Sequence, residues 1–244
     1  MYKNRKMLKK ILKYMDPKEM LIIHGARQVG KTTLMKMIQE HLRKNGVPEK
    51  NIVYMDMEDP VYLRLCNEGV ERTIVFLKEI GADLNKGRVY LFIDEVHYIN
   101  NVSNFLKLFY DRYGDICKII VSGSSSLDIK KKFKESMTGR FFSFELHPLD
   151  FEEFLWFKEK FYNINERIES DAIHEELKNL FREYINWGAY PRVPFFKDKE
   201  LKHEYIKGVI NTYIFKDIRD IGNIRNIQKF NELLAYLANN TGLL

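Results

Sequence analysis

Cysteine is scarce in this sequence: two residues in 244, Cys66 and Cys117, far apart and with no second thiol near either. That spacing excludes a zinc cluster and argues against a disulfide scaffold, leaving reduced, buried thiols as the expectation. No segment approaches the roughly 20 consecutive apolar residues of a membrane span. The basic N-terminus, MYKNRKMLKKILKYM, has no apolar run long enough for a signal peptide. A cytoplasmic chain with no membrane partner is expected. There is no internal repeat, no low-complexity linker and no tail of one charge sign. Charged residues form 30% of the chain and are spread along it, while hydrophobic residues form 45%. That apolar content excludes intrinsic disorder and is enough for a sizeable core.

What is present begins with a mild basic excess, net charge +6 and pI 9.0. Such a balance suits a protein that draws in polyanions, whether nucleic acid or nucleotide, and does not choose between them. Near the N-terminus, Leu8, Ile11, Leu12 and Met15 fall on one helical face, with Lys9, Lys10 and Lys13 on the remaining surface. The face reads as packing against its own domain, and the lysines as solvated.

Short apolar runs then alternate with helical periods. The runs are Met20–His24, Ile52–Met55, Val89–Ile93, Ile119–Val121 and Phe141–Phe144. The helical periods are Lys31–Leu42, Glu71–Ile80, Val102–Tyr113 and Leu127–Met137. Strands separated by helices imply crossover connections, hence a parallel sheet covered on both faces. The pattern changes at His147–Pro148. Beyond it only helical periods follow, around Phe151–Phe157, Glu175–Trp187, Leu201–Ile218 and Ile227–Leu237, with Gly242 as a stop. The expected organisation is a sheet domain over 1–146, a helical lid over 147–222, and the start of a C-terminal region over 223–244.

The strongest chemical signal is Gly25-Ala-Arg-Gln-Val-Gly-Lys31-Thr32-Thr33, which fits G-x-x-x-x-G-K-[ST] between a strand and a helix. Gly25 and Gly30 let the backbone curl so that successive N–H groups face one anion, and the following helix adds its positive end. Gly25, Arg27, Gln28, Val29, Gly30, Lys31, Thr32 and Thr33 are therefore expected around the phosphates. Lys31 would meet the β- and γ-phosphates and Thr32 would give its hydroxyl to magnesium.

The second signal is Val89-Tyr-Leu-Phe-Ile-Asp94-Glu95, an apolar strand ending in adjacent carboxylates. Strand pleating turns neighbours to opposite sides, so the two acids should serve different partners. Asp94 is expected to organise magnesium, and Glu95 to polarise the attacking water as general base. The pair argues against a GTPase, whose specificity loop Asn-Lys-x-Asp has only Asn85-Lys86-Gly87-Arg88 as its nearest counterpart. A third string, Ser122-Gly123-Ser124-Ser125-Ser126, ends the next strand. Two readings stand for it: Ser122 or Ser124 as a sensor of the γ-phosphate, and Ser126 as a helix cap. Fourth is Arg140, before the fifth strand. It is either an ordinary arginine closing a helix or, in a homo-oligomer, a residue reaching the neighbour's γ-phosphate, worth about 10³–10⁵ in rate where that operates.

Taken in order, the glycine loop, Asp94–Glu95, Ser122-Gly-Ser-Ser, Gly139-Arg140, Pro148-Leu-Asp-Phe-Glu-Glu-Phe and Trp187-Gly-Ala-Tyr-Pro191 resemble the predominantly archaeal AAA-domain ATPases, close to the STAND branch of AAA+ proteins. In that family the glycine loop is the Walker A element and the Asp94–Glu95 strand end the Walker B element. The resemblance implies an α/β P-loop core with a five-stranded parallel sheet of order 5-1-4-3-2, followed by a helical lid, with ATP and Mg2+ between them. It further implies that the segment Gly188–Pro191 approaches the nucleotide from the lid, although Ala189 stands where a second glycine is usual. Members continue into a winged-helix region, of which 223–244 would be the beginning. A lid sensor arginine is not singled out among Arg192, Arg219 and Arg225.

The function expected is hydrolysis of ATP to ADP and phosphate, driving a conformational switch between core and lid. The alternatives are an ATP-regulated nucleic-acid-binding module and a signalling scaffold with little turnover. ATP is the expected ligand, and DNA or another protein the expected class of partner.

Overall fold

The structure is a computed structural model that describes residues 2–123, 137–212 and 226–240. It forms two compact units, Met1–Phe195 and Phe196–Leu244.

In the first unit, five strands form one parallel sheet: β1 (Met20–His24), β2 (Ile52–Asp56), β3 (Val89–Asp94), β4 (Cys117–Gly123) and β5 (Phe141–Glu145). Their spatial order is β2-β3-β4-β1-β5, which is 5-1-4-3-2 read from the other edge. Burial on both faces leaves every residue of β1 and β4 buried, the polar His24, Lys118 and Ser122 included.

Side-chain alternation sorts each strand between two cores. Leu21, Ile23, Phe92 and Ile120 pack on one face with Ile11 of helix α1 (Lys6–Leu12) and with Leu34, Met35 and Ile38 of α2 (Lys31–Lys44). Met20, Ile22, Leu91, Ile93 and Val121 pack on the other face. There they meet α3 (Pro60–Asn67), α4 (Val70–Glu79) and α5 (Val102–Tyr113). Each face buries a row of branched and aromatic side chains, and each fully buried one contributes about 1.5–3 kcal/mol relative to exposure.

Helix α3 is absent from the sequence reading, and its start is chemically marked. Asp59 caps it by accepting from the Val61 N–H at 2.8 Å, and Pro60 stands at its first position, where no N–H is needed. The expected helix Leu127–Met137 falls almost wholly outside the described residues.

Helix α6 (Phe151–Phe157) opens with a reciprocal capping box between Asp150 and Glu153. Helix α7 (Asp171–Trp187) lays Leu180 and Tyr184 on Phe154 and Phe157. Residues 147–195 thus belong to the same compact unit as the sheet, whereas the sequence places a boundary after residue 146. The Leu149, Phe154 and Phe157 cluster and the tie from Arg5 to Glu153 hold them there. The expected boundary after residue 222 lies outside the described residues.

The second unit contains α8 (Lys199–Thr212) and α9 (Ile227–Asn239). Asn226 caps α9 by accepting from the Lys229 N–H at 3.0 Å, and Phe196 meets the Tyr205 ring at 5.4 Å. No helix among the described residues is long and apolar enough to cross a membrane.

Candidate active site

The glycine loop runs from the end of β1 to the start of α2, and close approach of backbones dictates its first glycine. A Cβ on Gly25 would lie 2.2 Å from the Leu146 carbonyl oxygen, because the chain leaving β5 crosses directly over the loop. The Leu146 N–H donates to the His24 carbonyl at 2.7 Å and fixes that crossing. Gly30 takes φ +99°, a left-handed backbone that a side chain would strain, and Gln28 takes φ 63° despite having one. Val29 is fully buried, Gln28 and Thr33 are exposed, and Arg27 is half-buried.

Lys31, the first residue of α2, is 6% exposed. Its Nζ donates to the carbonyls of Gly25 and Ala26, each at 3.0 Å, so the ammonium stands at the centre of the curl. Thr32 Oγ1 donates to Asp94 Oδ2 at 2.7 Å.

Asp94 is where the strands converge. It follows Phe92 by two residues on β3 and so lies on the α2 face of the sheet. From β2, Tyr54 is paired in register with Phe92 and shares that face; its hydroxyl donates to Asp94 Oδ2 at 2.6 Å. From β4, the buried Ser122 donates to Asp94 Oδ1. The Glu95 N–H donates to the same oxygen at 3.1 Å and also to Ser122 Oγ at 3.2 Å. Burial and the bond to Asp94 raise the Tyr54 phenol far above its ordinary pKa, so it remains a donor.

Glu95 does not continue the pleat. It leaves the strand at φ 51° in the left-handed region, so the two acids part through a backbone turn rather than through strand alternation as the sequence suggests. Its carboxylate is mostly buried and lies 3.2 Å from His97 Nδ1. Burial raises its pKa, with Asp94 adding to the effect and Lys31 and Arg27 opposing it.

The donor set at Asp94 suits magnesium. That ion takes few protein ligands, commonly one or two carboxylates with a hydroxyl, and completes its shell with phosphate oxygens and water. One carboxylate 2.7 Å from a helix-start hydroxyl meets that requirement.

The remaining expected residues are dispersed. Arg140 lies at the opposite end of the sheet, before β5, where its Nε donates to Asp111 at 3.0 Å and its guanidinium sits over Tyr110. It does not approach its own chain's loop. Ser124, with Ser125 and Ser126, lies outside the described residues, as do Arg219 and Arg225. Gly188 ends α7 at φ 73°. Tyr190, beside Pro191, packs on the cluster that contains Val29, and the Ala189 carbonyl accepts from Leu149 at 2.8 Å.

Tyr54, His97 and Arg5 are candidate functional-site residues that the sequence does not mark out. Tyr54 sits in an ordinary strand period, and nothing local sets it apart. Arg5 is a lone arginine among lysines, yet it is 8% exposed and bound to the loop.

Comparison with known proteins places these features in context. A protein-family model described as AAA domain matches residues 17–155, and a second, described as a domain of unknown function, matches residues 178–244. The uncharacterized protein MJ1544 of Methanocaldococcus jannaschii is 30% identical over 224 residues, covering 91% of this chain and 47% of that protein. An uncharacterized protein of Haemophilus influenzae is 23% identical, covering 97% of this chain and 55% of its own length. The chain thus spans about half the length of these relatives. Among solved structures, the Walker-type ATPase PABY2304 of Pyrococcus abyssi aligns with a TM-score of 0.53 at 14% identity, covering 92% of this chain and 76% of that one. At that identity the likeness is one of fold.

Proposed function

The chain belongs to the AAA domain family, and from that premise we propose that it binds ATP with magnesium and hydrolyses it to ADP and phosphate. The reaction would switch the helices after β5 between two arrangements relative to the sheet. The observation that carries the reading is the convergence at Asp94. One carboxylate there accepts from Thr32 of the phosphate loop, Tyr54 of β2, Ser122 of β4 and the backbone of Glu95.

Each group has a task that follows from its position. The loop N–H groups and the start of α2 favour an anion. Lys31, already desolvated, offers its ammonium to the phosphates, and its attraction is strengthened by exclusion of water. Thr32 and Asp94 would hold magnesium, which supplies neutralisation of phosphate charge when bound. Tyr54 and Ser122 fix the Asp94 carboxylate so that no reorientation is needed. Glu95, with its pKa raised by burial, is suited to accept a proton from the attacking water.

Further parts of the reading rest on sequence position, for Arg140 reaching a neighbour's nucleotide in a homo-oligomer and Ser124 as sensor, or on the family resemblance, for Gly188–Pro191 closing from the lid. The expected partner is DNA or a protein. Any switch requires that ATP interact differently with the two arrangements.

The test is ATP turnover per chain over a series of protein concentrations, with Glu95→Gln alongside. Turnover that rises with concentration and vanishes in the variant supports hydrolysis with a residue supplied in trans. No turnover at any concentration, with ATP binding that still depends on Lys31, would make the chain a nucleotide-gated binding module instead.

A further inference from the structure

Arg5 precedes the first helix in the sequence, yet it is buried against the back of the phosphate loop. Its guanidinium divides three ways. Nη1 donates to the Val29 carbonyl at 2.8 Å, Nη2 to the His147 carbonyl at 2.7 Å, and Nε to Glu153 Oε1 at 3.1 Å. Glu153 is itself 4% exposed and accepts from the Lys6 N–H at 2.7 Å through the same oxygen. Its other oxygen accepts from the Asp150 N–H, closing the capping box that opens α6.

The bond to Val29 has a consequence for the loop. A trans peptide is planar, with its C=O and N–H on opposite sides. The peptide that carries the Val29 carbonyl also carries the Gly30 N–H. Holding that carbonyl against Arg5 turns the Gly30 N–H away from Arg5, toward the anion that the loop would cradle. The guanidinium lies so close behind the turn that Nη1 would be 3.7 Å from a Cβ on Gly30. The planar guanidinium spreads its donors across two carbonyls and a carboxylate in fixed geometry, whereas the three donors of a lysine all radiate from one nitrogen.

We propose that Arg5 is a positioning residue for the phosphate loop: it orients the Val29–Gly30 peptide for anion binding and, through Glu153, links that peptide to the first helix after the sheet. The inference rests on the phosphate-binding reading above. A buried ion pair that merely fastens the N-terminal segment would serve stability alone, and the two roles separate in measurement.

The experiment compares wild type with Arg5→Lys, Glu153→Gln and Lys31→Ala, reading the melting temperature and the affinities for ATP and for inorganic pyrophosphate. Arg5→Lys keeps the charge and loses the fork. It is expected to weaken both ligands about tenfold, the scale of a charge-assisted hydrogen-bond set. Glu153→Gln keeps an acceptor oxygen for Arg5; it is expected to lower the melting temperature and leave pyrophosphate affinity near wild type. Should Arg5→Lys not fold, the double variant Arg5→Met with Glu153→Met removes both charges at once and carries the same comparison. Wild-type pyrophosphate affinity in a folded Arg5 variant overturns the proposal while leaving the phosphate site intact, provided that Lys31→Ala has lost binding. If Lys31→Ala binds both ligands as wild type does, the phosphate reading falls and this inference with it.

Discussion

Thr32 and Asp94 stand 62 positions apart in the sequence and are joined by a 2.7 Å hydrogen bond from hydroxyl to carboxylate. The bond exists because α2 begins at the tip of β1 and packs on the face of the sheet to which Asp94 points. Two of the shortest local signals in the chain, a helix-start threonine and a strand-end aspartate, are thereby brought into one donor set. The set is over-determined: Tyr54 and Ser122 also donate to the same carboxylate.

Thr32→Ala and Asp94→Asn are each expected to reduce affinity for ATP in the presence of magnesium by about 10- to 100-fold, with little change in its absence. Titration of ATP with and without magnesium checks this. Variants that keep the full magnesium-dependent gain would remove Asp94 and Thr32 from the proposed metal site.

Glu95→Gln is expected to leave ATP binding intact and lower turnover by about 10²-fold or more, the loss of the general base proposed above. The isosteric amide keeps the packing around the left-handed turn at Glu95, so the melting temperature should hardly move. A variant with wild-type turnover would assign the base elsewhere.

Gly25→Ala should be severe and Gly46→Ala mild, although both glycines have positive φ. The Gly25 Cβ would meet the Leu146 carbonyl at 2.2 Å, whereas nothing lies within 4 Å of one at Gly46. Forcing the crossing apart should cost about 3 kcal/mol and separate β5 from the loop. Chemical denaturation of the two variants side by side measures the difference, and equal losses would contradict the steric account.

Lys118 gives a pH dependence with a definite sign. Its side chain is fully buried on β4, donating to the carbonyls of Tyr14, Pro17 and Glu19 at 2.7, 2.7 and 2.6 Å. Burial, with Arg88 adding to it, pushes its pKa down to about 7, although loss of the proton leaves the amine two N–H donors for the three carbonyls. The unfolded chain keeps that proton to about pH 10.4, so between these values the unfolded state binds more protons and stability rises with pH. The buried thiols of Cys66 and Cys117, raised to about 12, act in the opposite sense above pH 9. Melting temperature should therefore climb from pH 7 to 9, and Lys118→Met should flatten that climb. A wild-type profile that falls across the interval would refute the assignment.

Local signals carried much of the fold. Each of the five strand runs and the helices α2, α4, α5, α6 and α7 is visible as a period in the chain, because burial on one or two faces writes itself into neighbouring residues. Helix α3 is short and follows β2 closely, so its Asp59–Pro60 start is easily taken for a turn. The sheet order is not written in any period; it enters the sequence reading only through the family resemblance.

The sequence by itself determined the glycine loop, the acidic strand end and the alternation of strand and helix, since each depends on residues adjacent in the chain. Only the tertiary structure decided that Tyr54, Ser122 and Thr32 meet at Asp94, that Glu95 turns away through a left-handed backbone, and that Arg5 stands behind Gly30. Those relationships depend on strand register and on which segment crosses which, and hydrophobic burial fixes both across the whole sheet rather than within any stretch of sequence.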